Sequence, residues 1–272
     1  MHDRVNAMHL AERLPARSFG HAAFSGLQDT APRAALLSLH ARVDGVGPHD
    51  WEHPSLVQVW GPRSAVYLIP TEAFAAFTVG RMPRDPQMAA RVHRVADEAL
   101  AGAADPYRRT GSATGRFRIR WDARTTELIP CDPPDVDPDE ARVDLARRFL
   151  AWFGEALRPR FATWAGVSSA DARETLRHVA EQPAAPHLPP TGVRLLPYLD
   201  PFLWGVPAPS SGARELSGAL LVDGVSAGTW ARQGAHVTLR PVPGAPIDRI
   251  VAEAETLAGP LGVPAVRISV AP

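Results

Sequence analysis

Apolar and polar positions along this chain recur with two periods, and their succession divides it into four stretches. In the first, Ala34, Leu36, Leu37, Leu39 and Ala41 repeat at the spacing of a buried helix face. They follow Ala31-Pro32-Arg33, where Pro32 suits a first helical turn because its missing N–H has no partner there anyway. Two extended runs come next, Leu56-Val-Gln-Val-Trp60 and residues 64–69, parted by a Gly-Pro break. The second stretch repeats the outline. Thr71 is placed to cap a helix, residues 87–101 read as a longer amphipathic one, and 116–121 with 126–129 form a hairpin around Asp122-Ala-Arg.

The third stretch is the most legible. Residues 139–153 bury Val143, Leu145, Ala146, Phe149, Leu150 and Phe153 and stop at Gly154. A short helix over 159–164 ends at Gly166, and Ser168 caps a third over 169–181. Helix, short helix, turn and helix make a helix-turn-helix core. The last stretch is mostly β: residues 218–222 and 225–230 flank Asp223-Gly224, a pair that favours a type I′ turn. A turn at Gln233-Gly234 leads to a strand over 236–240, then a helix over 247–257 and a strand over 265–270. The pattern predicts an α+β chain with three tandem winged-helix units, each a helix-turn-helix with a β-hairpin, and a β-rich C-terminal region. The boundaries fall at residues 1–70, 71–135, 136–215 and 216–272.

Composition narrows the chemistry. All 29 basic side chains are arginine, so no activity that needs a lysine amine, such as Schiff-base formation or a Walker phosphate loop, is open to this chain. Cys131 is the only cysteine, which leaves no disulfide framework and no cysteine-rich metal site. The ten histidines are scattered, and no metal is expected. There is no nucleophile elbow and no dinucleotide glycine fingerprint, and no cofactor is expected. The start is polar, and no apolar run approaches the roughly 20 residues of a spanning helix. A cytoplasmic, monomeric protein is the expectation. A formal net charge of zero argues mildly against nucleic acid, although local arginine clustering can still build a positive face.

Three constellations could carry chemistry. Along 116–121, Phe117, Ile119 and Trp121 alternate with Arg116, Arg118 and Arg120, which repeat at roughly 6.6 Å on one face. That ladder fits a run of phosphates, or else a solvated edge strand. Arg147 and Arg148, with Arg158, Arg160, Arg173 and Arg177, surround the helix-turn-helix, but Asp171 and Glu174 on its third helix favour packing over base reading. Trp60, Trp121, Trp152, Trp164, Trp204 and Trp230 read as core. Asp200, amid apolar residues, requires a buried partner. Finally, Gln28, Asp29 and Thr30 stand between an apolar lead-in and a helix start, where Asp29 or Thr30 could be a helix cap or the group could hold a water or stabilise a cation.

Gly26-Leu-Gln-Asp-Thr-Ala-Pro-Arg-Ala-Ala-Leu-Leu-Ser-Leu-His-Ala-Arg42 resembles the opening motif of the winged-helix DNA glycosylases of the AlkZ and YcaQ type. Further similar segments follow in order: Val59-Trp-Gly-Pro-Arg63, residues 146–156 with Phe161-Ala-Thr-Trp-Ala-Gly166, residues 195–203, and residues 221–230. The resemblance implies three winged-helix units around a DNA-binding concavity, and monofunctional hydrolysis of alkylated or bulky-adducted purines from double-stranded DNA in repair or self-resistance. It implies catalysis by Gln28, Asp29 and Thr30, and DNA contacts by Arg33, Arg63, Arg116, Arg118 and Arg120. The family's catalytic motif is Gln, an apolar residue, then Gln or Asp; Gln28 matches, whereas Asp29 and Thr30 depart from it. Two other readings stand beside a glycosylase: a non-catalytic winged-helix DNA-binding protein acting as regulator or lesion sensor, and a binder of planar small molecules.

Overall fold

A computed structural model describes residues 2–31, 33–103, 109–180, 188–204 and 217–271. Its helices are α1 (His2–Ala7), α2 (Phe19–Ala22), α3 (Ala34–His40), α4 (Phe74–Phe77), α5 (Pro86–Leu100), α6 (Pro138–Phe153), α7 (Phe161–Ala165), α8 (Ser169–Arg177), α9 (Ile247–Glu255) and α10 (Ala258–Leu261). The strands are β1 (Leu27–Gln28), β2 (Leu56–Trp60), β3 (Val66–Pro70), β4 (Phe117–Trp121), β5 (Thr126–Pro130), β6 (Val193–Leu196), β7 (Gly218–Val222), β8 (Val225–Gln233), β9 (His236–Pro241) and β10 (Arg267–Val270). The chain is mixed α+β, with two five-stranded sheets. It divides into two compact units, one of residues 1–22, 33–53 and 184–272, the other of residues 23–32 and 54–183.

In the unit of residues 23–32 and 54–183, the sheet runs β1-β3-β2-β4-β5, every neighbouring pair antiparallel. The two hairpins β2–β3 and β4–β5 thus share one sheet, joined at the register pair Gln58–Ile119. Alternation along β4 is as expected: Phe117 and Ile119 are buried while Arg118 and Arg120 are exposed. One face buries Trp60, Val66, Phe117 and Ile119 against Ala96 of α5. Asp85 starts α5 by accepting from the Met88 N–H at 2.8 Å. On the opposite face, Tyr67 meets Phe77 of α4, and Phe77 meets Trp164 of α7 edge-on.

The helix-turn-helix lies where its pattern placed it. Asp137 caps α6, Gly166 closes α7 at φ 73°, and the Ser168 hydroxyl accepts from the Asp171 N–H to cap α8. The third helix is shorter than expected and ends at Arg177; residue 181 lies outside the described residues. Thr71 caps no helix. Its hydroxyl donates to the Pro54 carbonyl, and residues 71–73 form a 3-10 turn ahead of α4.

In the other unit, β6, β7, β8 and β9 are antiparallel and β10 joins β9 in parallel. The Asp223-Gly224 turn has φ of 48° and 75°, the two positive values that type I′ demands. Leu195, Leu220, Trp230, Val237 and Leu239 pack on Ile250, Ala254 and Leu257, and on Leu37 of α3. Residues 2–7, which include His2 and precede His9, are helical, and Val5 and Met8 are fully buried. Asp200 finds the partner its burial requires, as Arg42 meets it with two hydrogen bonds of 2.7 and 2.8 Å.

Candidate functional site

The segment from Phe24 to Thr30 is held from both ends. The Ser25 hydroxyl donates to the Arg148 carbonyl on α6, and the Arg148 guanidinium donates to the Phe24 carbonyl at 3.0 Å while lying over the Phe24 ring. Arg148 also pairs with Asp144, so it serves packing rather than a ligand. Gly26 then turns the chain at φ 80°, and β1 pairs Leu27 with Leu68 and Gln28 with Tyr67. The Asp29 N–H continues the ladder to the Val66 carbonyl at 2.8 Å.

This extended backbone decides where the three polar side chains go. Residues in a strand alternate faces. Leu27 and Asp29 are buried on one side, whereas Gln28 is half-buried and Thr30 exposed on the other. Asp29 is 1% exposed and accepts from Gln58 Nε2 at 3.2 Å. Gln58, itself buried in β2, receives the Trp121 N–H on Oε1 at 2.8 Å and donates from Nε2 to the Trp121 carbonyl at 3.4 Å. Its amide therefore extends the ladder where β2 and β4 separate, and ties Asp29 to the end of the arginine-bearing strand.

The residue before α3 is Arg33, in the left-handed region at φ 63° and without a side-chain cap; Pro32 lies outside the described residues.

On the outward face, Gln28 Oε1 accepts from Arg63 Nη2 at 3.0 Å, and Gln28 Nε2 donates to Thr30 Oγ1 at 3.2 Å. The same Arg63 nitrogen donates to the Tyr67 hydroxyl at 3.3 Å. Arg63 reaches this position from a turn in which both it and Ser64 are left-handed, at φ 56° and 54°. Such backbone costs roughly 1–2 kcal/mol per non-glycine residue, and strain of this kind concentrates at functional positions. Burial pushes the Tyr67 phenol above its ordinary value, with the charge and hydrogen bond of Arg63 opposing, so it is protonated at neutral pH. Behind it, burial pushes Arg81 down to about 10, still cationic at neutral pH. Arg81 donates to the Trp60, Phe77 and Ala165 carbonyls and locks this layer together.

The remaining arginines are less uniform than their spacing suggests. Arg116 is paired with Asp97, and Arg120 stands opposite Glu127 in the register with β5. Arg118 is exposed and opposite Ile129. Gln28 is in register with Tyr67, Tyr67 with Val59, and Arg118 precedes Ile119, the partner of Gln58. Gln28 and Arg118 thus share a sheet face, three strand spacings or about 14 Å apart. Val59 between them is fully buried, so the two do not form one continuous exposed surface. Arg33, in the other compact unit, stacks on Trp51 with its guanidinium carbon 3.8 Å from the ring centroid. Among the described residues no three His, Cys, Asp or Glu side chains gather as a metal would need, and no helix is long and apolar enough to cross a membrane.

The sequence singled out Gln28, Asp29, Thr30 and Arg63 in this cluster, but not Gln58 or Tyr67. Gln58 had a visible signal, the lone polar residue in Leu-Val-Gln-Val-Trp. Comparison with solved structures gives Streptomyces sahachiroi DNA glycosylase AlkZ, at a TM-score of 0.68 and 17% identity, covering 99% of this chain and 99% of that one. The chain has the AlkZ fold. No protein-family model and no curated protein matches the sequence. The AlkZ fold therefore emerges from the arrangement of elements over the full length, with few identical side chains to carry it.

Proposed function

We propose that this chain is a monofunctional DNA glycosylase that binds double-stranded DNA and hydrolyses the N-glycosidic bond of alkylated or bulky-adducted purines. The observation that carries the reading is the outward pair Gln28 and Thr30, bonded to each other with Gln28 also held by Arg63, in a chain with the AlkZ fold. Cleaving an N-glycosidic bond builds positive charge on the sugar and requires a positioned water. The Gln28 amide and Thr30 hydroxyl hold that water. Asp29 lies on the opposite side of the strand, so it acts as an anchor and as negative charge beneath the segment, not by direct proton transfer. Arg118 and Arg120, with Arg63, Arg116 and Arg33, contact phosphates. In this reading residues 1–70, 71–135 and 136–215 act as winged-helix units followed by the β-rich region 216–272, and the protein works as a cytoplasmic monomer. Incubation with duplex DNA carrying N7-methylguanine, followed by detection of free base, tests it: release that disappears in Gln28→Ala supports it, and no release above the DNA-only control overturns it.

One observation favours a second reading, a DNA-binding protein without catalysis. The outward face at Gln28 carries donors and no carboxylate, since Asp29 is turned inward. Lesion-dependent binding without base release would favour that reading.

A further inference from the structure

We propose that Tyr67 is a positioning residue which, through Arg63, fixes the orientation of the Gln28 side-chain amide; the inference rests on the reading of Gln28 as part of the reactive site. A guanidinium has only donors, so the Gln28 atom facing Arg63 Nη2 is the carbonyl oxygen, and the amide nitrogen is turned toward Thr30 Oγ1. The amide direction is therefore set by wherever Arg63 is held.

Arg63 is exposed and its long side chain has many rotamers, so a contact to Gln28 alone would fix little. Tyr67 supplies the second point. Its hydroxyl accepts from the same Nη2 at 3.3 Å. The ring cannot swing away. A Cβ at Gly26 would stand 2.9 Å from Tyr67 Cδ1, and one at Gly61 would stand 3.1 Å from Cδ2, so the two glycines form a slot for this ring. Tyr67 also sits directly across the β1–β3 register from Gln28. At 2% exposure it cannot touch DNA, which separates positioning from binding.

The orientation has a chemical consequence. With Oε1 occupied by Arg63 and Thr30 Oγ1 accepting from Nε2, the free hydrogens are the second amide N–H of Gln28 and the Thr30 hydroxyl. The pair presents donors to an incoming oxygen or nitrogen acceptor, such as the lone pair of a water or a substrate oxygen.

The test compares wild type with Tyr67→Phe, which keeps the ring in its slot and removes one hydroxyl, and Arg63→Lys, which keeps the charge and loses the fork. Two readouts are used: single-turnover base release with the dissociation constant for the same N7-methylguanine duplex, and the side-chain amide resonances of Gln28 in 15N-glutamine-labelled protein, assigned by Gln28→Ala. The expected result is a roughly 10- to 100-fold loss of rate in Tyr67→Phe at unchanged DNA affinity. A displaced Gln28 amide pair is expected in both variants. An unmoved Gln28 amide pair in Tyr67→Phe overturns the proposal, even if wild type is active. If Tyr67→Phe does not fold, Arg63→Lys, on an exposed turn, decides in its place, and an unmoved amide pair there overturns the proposal equally. If wild type releases no base but the amide pair moves, the glycosylase reading fails while the positioning stands.

Discussion

Arg42 and Asp200 face each other in a two-pronged ion pair, Nη1 to Oδ2 at 2.7 Å and Nη2 to Oδ1 at 2.8 Å, and neither side chain has exposed area. Asp200 also accepts the Phe202 N–H at 2.9 Å, and Arg42 donates to the Ser38 carbonyl at 2.9 Å, so both charges are embedded in hydrogen bonds. Removing one partner leaves the other charged in a dry interior, at a cost of about 3–5 kcal/mol. Asp200→Ala is expected to lower unfolding stability by that amount. Arg42→Met with Asp200→Leu together should lose less than Asp200→Ala alone, as measured by urea titration.

His40 gives the pH dependence. Burial, with the charges of Arg13 and Arg194 adding to it, pushes its pKa from 6.5 down to about 4. The unfolded chain takes up this proton near pH 6.5 and the folded chain only near pH 4, so the contribution is complete above 6.5 and is lost as pH falls toward 4. A shift of this size is worth roughly 3 kcal/mol. Glu253, in the same cluster, is raised by burial, so its contribution runs the other way and is lost as pH rises. Comparing wild type with His40→Gln isolates the histidine. The stability lost by wild type between about pH 7 and pH 4.5 should shrink by roughly 2–3 kcal/mol in the variant.

Gln58 and Asp29 form a buried polar pair, and the cost of breaking it depends on which side is removed. Gln58→Leu leaves the Asp29 carboxylate and the Trp121 N–H without this amide and should cost about 1–3 kcal/mol or more. Asp29→Asn keeps the shape and an acceptor for Gln58, so the melting temperature should change little. Its base-release rate should fall by roughly 10²-fold or more if the buried negative charge supports the developing cation. A rate equal to wild type would confine Asp29 to anchoring.

Arg118 should matter more for DNA than its neighbours on the same strand. Arg116 is engaged by Asp97 and Arg120 stands opposite Glu127, whereas Arg118 faces an apolar partner. Arg118→Ala is expected to lower the slope of log affinity against log salt by about 1, equally on all sequences. Arg116→Ala should change it less. Fluorescence anisotropy with duplexes of different sequence across a salt series reads both. An unchanged slope in the Arg116, Arg118 and Arg120 triple alanine variant would reduce the ladder to a solvated edge.

Local pattern was enough for the elements whose residues interact with near neighbours. The alternation of Phe117, Ile119 and Trp121 with arginines placed β4, and the Asp223-Gly224 pair placed its hairpin because only positive φ closes that turn. The apolar spacing in 138–153 and the Gly166 and Ser168 boundaries placed the helix-turn-helix. Asp200 announced a buried partner, since an isolated charge is not stable among apolar residues. Which arginine would answer it was decided only by folding, 158 residues away in the chain. The same holds at the candidate site. The sequence singled out Gln28, Asp29 and Thr30 as a polar cluster, but capping and chemistry predict the same residues there. Pairing of β1 with β3 set the directions of these side chains, because a strand sends adjacent side chains to opposite faces: Asp29 inward to Gln58, Gln28 outward to Arg63 and Thr30. Side-chain direction depends on which strands pair, and strand pairing is a long-range property that no local window contains.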